Sequence, residues 1–83
     1  MAMINDDVLR ELNLPHSVQV QALKLLTAIA DASTVADTLH AADRAEGFAL
    51  GIETVKALNP ALIESLYVAF DQASQARQQE LVE

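Results

Sequence analysis

The stretch from Ala41 to Val55 constrains the fold most strongly, because its apolar residues recur at alternating steps of four and three. That spacing is typical of an amphipathic helix with a single apolar stripe. The stripe consists of Ala41, Ala45, Phe48, Ile52 and Val55. We expect Phe48 and Ile52 to be buried against other helices. Asp43 and Thr54 lie well round the same helix and should face solvent.

Two glycines, Gly47 and Gly51, lie one turn apart beside this stripe. A glycine costs about 1 kcal/mol relative to alanine inside a helix, so the pair suggests that another backbone or a ligand approaches closely there. Asp37, His40 and Arg44 precede the glycines at spacings of three or four residues and extend them into one polar strip. The strip has two interpretations: a binding or proton-carrying site, or a solvated face with ion pairs along the helix.

Few residues have the spacing of a metal or catalytic site. Asp37 and His40 match half of a di-metal carboxylate and histidine site, but the only other histidine, His16, has Asn13 where the second acid is needed. The chain has no cysteine, and none of its serines lies in a glycine-flanked turn. We therefore predict no catalytic residue, no metal site and no cofactor.

Turn and capping residues divide the chain into a short first helix and three longer ones. Asn5 is the expected N-cap of the first helix. Asn13 and Pro15 are expected to end this helix, because the residue before a proline avoids helical geometry. The second helix is expected from Pro15 to about Ala32. Its apolar stripe is Val18, Ala22, Leu25, Ile29 and Ala32, widened by Leu23 and Leu26.

The second and third helices are joined without a glycine or proline, so one continuous helix is the alternative to a break. We favour a break, because the apolar rhythm changes phase and Ser33 or Thr34 is a suitable N-cap. The third helix is expected to reach about Leu58. Asn59 and Pro60 then form a short connection that makes the last two helices antiparallel. The fourth stripe is Leu62, Ile63, Leu66, Ala69, Phe70, Ala73 and Ala76.

The predicted fold class is therefore all-α, a small antiparallel helical bundle formed by residues 1–83 as one domain, with residues 1–4 and 77–83 frayed. At 83 residues one core gives marginal stability, so we expect completion by homodimerisation. The net charge of −7 argues against direct binding of nucleic acid. Charged residues interrupt every apolar run, and the N-terminus lacks a secretory pattern, so we expect a cytoplasmic protein that does not enter membranes.

The expected function is a small acidic interaction protein without enzymatic activity, such as an adaptor, chaperone or inhibitor, that binds itself and another protein. The candidate partner-binding residues are His40, Arg44, Gly47, Gly51 and Tyr67. Tyr67 is included because tyrosine is frequent in interface hot spots. Two alternatives remain: a ligand-binding or enzymatic helical protein that uses Asp37, His40 and Arg44, and an acidic mimic of nucleic acid that occupies a DNA-binding protein.

Overall fold

The computed structural model describes residues 6–82, with side chains from residue 9 onward. Four helices pack against each other: α1 (Asp6–Glu11), α2 (His16–Ala30), α3 (Val35–Thr54) and α4 (Pro60–Val82). This confirms the predicted all-α bundle of one short and three longer helices. The expected N-cap Asn5 and the expected frayed residues 1–4 lie outside the described residues.

The helix boundaries follow local signals. The Thr34 hydroxyl accepts a hydrogen bond of 3.0 Å from the Asp37 backbone N–H, so Thr34 is the N-cap of α3 and the break between α2 and α3 is confirmed. The Asn59 side chain accepts a bond of 2.9 Å from the Leu62 N–H, and Pro60 opens α4 as expected. Helix α2 is shorter than predicted, from His16 to Ala30.

The core lies between α2, α3 and α4, and α1 packs on α2 with Leu9 fully buried. Three of its alanines, Ala22, Ala45 and Ala49, are also fully buried. Small side chains at these positions let helix axes approach closely. The largest fully buried side chains are Phe70, Leu9, Ile29, Leu66 and Thr38. In α2, Leu26 is buried where the stripe predicted Leu25, which is only half-buried.

The buried side of α3 differs from the predicted stripe. Ile52 is buried and Asp43 and Thr54 are exposed, as expected, but Phe48 is only half-buried and packs against the edge of the core. The buried residues of α3 are Thr38, Ala45, Ala49 and Ile52. Compared with the prediction, the side of α3 that faces the core is therefore turned from Phe48 toward Ala49. Thr38 can enter the core because its hydroxyl donates a 2.8 Å bond to the Thr34 carbonyl within the same helix.

Helix α3 also ends earlier than the predicted Leu58, and Val55 is 73% exposed. Lys56 adopts a left-handed conformation with φ of 56°. The Ala57 N–H donates to the Ile52 carbonyl at 3.1 Å, and the Lys56 N–H donates to the Glu53 carbonyl at 3.1 Å. This pair of bonds is a Schellman C-cap, which usually has glycine at the left-handed position. The sequence predicted a longer helix because lysine, unlike glycine, does not indicate a helix end.

Helix α4 runs antiparallel to α3, since Tyr67 lies beside Glu53 while the later residues Ser74 and Gln78 lie near Leu39. Near its end, Arg77 Nε donates a 2.8 Å hydrogen bond to the Ala32 carbonyl in the turn between α2 and α3. Arg77 also forms an ion pair with Glu80 at 3.4 Å. The helix continues to Val82, and the fraying of residues 77–83 stays a prediction.

Candidate interaction surface

The strip predicted on α3 is an exposed surface, since Asp37, His40, Arg44, Gly47 and Gly51 are all exposed. We call its part formed by His40, Arg44, Gly47 and Gly51 the glycine strip. A Cβ atom placed on either glycine meets no atom within 4 Å, apart from its own helix backbone and its two chain neighbours. Packing among residues 6–82 therefore gives no reason for glycine at these two positions. The space above both glycines is open to a second molecule.

The polar side chains of the strip form few interactions with the rest of the described chain. Among the described residues, the side chains of His40 and Arg44 form no hydrogen bond and no ion pair, so the interpretation with ion pairs along this face gains no support. Asp37 contributes its backbone N–H to the Thr34 cap. Within the same part of the chain, no group of three or more His, Asp and Glu side chains is arranged to hold a metal ion. Both side chains on the strip are available to a partner.

Tyr67 lies apart from the glycine strip, in a groove between α3 and α4. Its ring is half-buried, and its hydroxyl donates a weak hydrogen bond of 3.4 Å to Glu53 Oε1. Partial burial raises the pKa of Tyr67, and the negative charges of Glu53 and Glu46 raise it further. Tyr67 lies with Glu46 and Glu53 in this groove, whose lining does not include His40 or Arg44, so the structure does not bring these three predicted residues together.

The α3/α4 groove consists of two concavities that share Tyr67, Asp71 and Gln75, the larger with a volume of about 790 Å³. Its lining includes five exposed carboxylates: Asp43, Glu46 and Glu53 from α3, and Glu64 and Asp71 from α4. Apolar lining comes from Leu39, Ile63 and Val68 as well as the tyrosine ring. The groove is therefore an apolar surface with an acidic rim.

The sequence alone does not predict this groove, because the groove depends on how two helices pack. A signal was present: Glu46 and Glu53 are seven residues apart on α3, and Glu64 and Asp71 are seven apart on α4. Residues seven apart lie on nearly the same side of a helix. Only the packing of α3 against α4 shows that the two acidic rows face the same groove.

The glycine strip and the groove occupy different sides of α3. Arg44 and Glu46 are two residues apart, which places them about 200° apart around a helix. The two surfaces also differ in chemistry: the strip contains two glycines with one histidine and one arginine, whereas the groove is apolar and acidic.

No protein-family model matches the chain, and no curated protein and no solved structure matches it significantly. Within the described residues, no helix is both long and apolar enough to cross a bilayer.

Proposed function

We propose that this chain is a small interaction protein without enzymatic activity, and that it associates with a second copy through the glycine strip of α3. The observation that carries the proposal is the open space above Gly47 and Gly51. Each glycine costs about 1 kcal/mol in the helix, and the chain's own packing does not require it. A contact with another molecule supplies the missing reason.

The chemistry of the strip is suited to a helix from a second copy. Without Cβ atoms, two helix backbones can approach more closely than side chains elsewhere on α3 allow. His40 and Arg44 lie beside the glycines and can donate hydrogen bonds across such a contact. An 83-residue chain also buries a smaller share of its surface than a larger domain, so association adds useful burial.

The experiment replaces Gly47 and Gly51 together with alanine. The added methyl groups fill the space that a second helix needs, so we expect the double variant to lose self-association while remaining helical. Light scattering at increasing protein concentration measures the association, and circular dichroism measures the helix content. Gln21→Ala is the control, because it raises helix propensity at an exposed position of α2 and leaves the strip on α3 unchanged.

Two results would contradict the proposal. One is a monomer mass for the unchanged protein at tens of micromolar, together with a melting temperature that does not depend on concentration. The other is a double alanine variant that associates normally and melts at a higher temperature, as expected for two glycines that merely face solvent.

A further inference from the structure

The α3/α4 groove joins features that point to one kind of occupant. Val68 lines its larger concavity and is 47% exposed, and Leu39 lines the adjoining one and is 46% exposed. Tyr67 lines both concavities and contributes a half-buried ring. An apolar surface of this shape suits a helix that presents its own apolar stripe to a groove.

The charged side chains that line this surface, among the described residues, are all acidic. Five exposed carboxylates line the groove, while none of the chain's five lysines and arginines lines either concavity. Arg44 lies on the other side of α3, and Arg77 is bonded to the Ala32 carbonyl near the end of the bundle. The acidic potential of the groove is therefore not neutralised locally, and it favours a positively charged partner.

A second copy of the chain does not meet this requirement through the same surface. Two grooves placed face to face would bring five carboxylates of one copy toward five of the other, which is repulsive. We propose that the α3/α4 groove binds a basic amphipathic helix of a partner protein. Leucine-like side chains of that helix would contact Tyr67 and Val68, and its lysines and arginines would pair with the acidic rim. This inference rests on the interaction function proposed above.

The test uses a synthetic peptide of about 18 leucine and lysine residues, long enough to form a helix on a surface, with leucines at helical spacing. A peptide of the same pattern with glutamate in place of lysine is the control for charge. Titration calorimetry gives the dissociation constant. The protein has one tyrosine and no tryptophan, so tyrosine emission reports on Tyr67 alone. We expect the lysine peptide to bind and to change that emission, and the glutamate peptide to do neither.

Two pairs of variants locate the contact. Glu46→Gln with Glu64→Gln removes two charges from the groove, and Asp31→Asn with Asp37→Asn removes two exposed charges elsewhere, so both proteins have the same net charge. Each exposed ion pair contributes up to about a fivefold change in affinity. We therefore expect the groove variant to bind the peptide about tenfold more weakly, and the control variant to change binding by less than about twofold.

A second pair tests the apolar surface. Val68→Gln changes a groove residue, and Val20→Gln changes a valine of similar exposure on α2, at 40%. We expect only Val68→Gln to weaken binding, and the peptide to retain measurable affinity at high salt, where the screened ion pairs contribute little. Circular dichroism confirms that all of these variants remain folded.

Equal weakening by both acid pairs, or by both valine variants, would overturn the proposal, because binding would then depend on overall charge or on general stickiness. Absence of lysine-peptide binding would also overturn it. A groove variant that loses self-association instead would show that a second copy occupies the groove. That last outcome would overturn both proposals, because self-association would then use the groove and not the glycine strip. The peptide results leave the glycine-strip experiment unchanged, so failure of peptide binding and failure of the proposed function are distinguishable.

Discussion

Replacing Lys56 with glycine should stabilise the protein, although it removes a side chain. Lys56 is at the left-handed position of the Schellman cap that ends α3, with φ of 56°. In this conformation the Cβ of an L-residue crowds a neighbouring carbonyl oxygen, at a cost of about 1–2 kcal/mol. Glycine has no Cβ and adopts the conformation freely. The two backbone bonds of the cap remain possible in the variant, since neither uses the lysine side chain.

The gain is reduced by the greater freedom of glycine in the unfolded chain, which costs about 0.4–1 kcal/mol. The expected net stabilisation is about 0.5–1 kcal/mol relative to alanine at the same position. For a domain of this size, this corresponds to a rise in melting temperature of roughly 2–8 °C. Lys56→Ala is the correct reference, because both variants lack the positive charge that favours a helix C-terminus.

Urea denaturation and thermal melting of the two variants measure the difference. Asn13→Gly is a second comparison, since Asn13 has a similar φ of 53° but asparagine tolerates that conformation better than lysine. We expect a smaller gain there than at Lys56. If Lys56→Gly is no more stable than Lys56→Ala, the left-handed backbone at Lys56 is not a source of strain, and the prediction is wrong.

Three further predictions concern the core, the groove and the end of α4. Phe70→Ala should destabilise the protein by about 3–5 kcal/mol, and Phe48→Ala by about 1–3 kcal/mol, because only the first ring is fully buried; equal losses in urea would contradict this placement. Tyr67 should titrate by ultraviolet absorbance above the ordinary tyrosine pKa of 10.0, and Glu53→Gln should lower that pKa. Because the pKa of Tyr67 is higher in the folded than in the unfolded protein, the contribution of Tyr67 to stability is fully present below the unfolded-state pKa and is lost as the pH rises through the folded-state pKa. An unchanged Tyr67 titration in Glu53→Gln would refute the role of the Glu53 charge. Arg77→Gln should cost about 1–2 kcal/mol, because it removes a charged hydrogen-bond donor; a melting temperature equal to that of the unchanged protein would show that the bond contributes nothing.

Local sequence patterns predicted the four helices and most of their boundaries. Thr34 and Asn59 act as N-caps through their own side chains, so their signals do not depend on the rest of the fold. The glycine strip was also predictable, because residues three and four apart on a helix share a side wherever the helix packs.

Features that depend on the packing of several helices were not predictable in this way. Phe48 and Ala49 are adjacent apolar residues on α3, and only contact with α2 and α4 determines which one is fully buried. Thr38 is a polar residue type, yet its hydroxyl is hydrogen-bonded within the helix, and its side chain can therefore be buried. The α3/α4 groove requires the register of two helices, which no single stretch of sequence contains.

The bond between Arg77 and Ala32 affects the order in which the bundle folds. The other described side-chain hydrogen bonds within helices join residues three or four apart and can form as each helix forms. The Arg77 bond joins residues 45 positions apart, so it closes only after α4 has docked near the turn between α2 and α3. An interaction that forms after the transition state slows unfolding and leaves the folding rate unchanged. We therefore expect Arg77→Gln to unfold faster than the unchanged protein and to fold at the same rate, as stopped-flow kinetics in urea would measure.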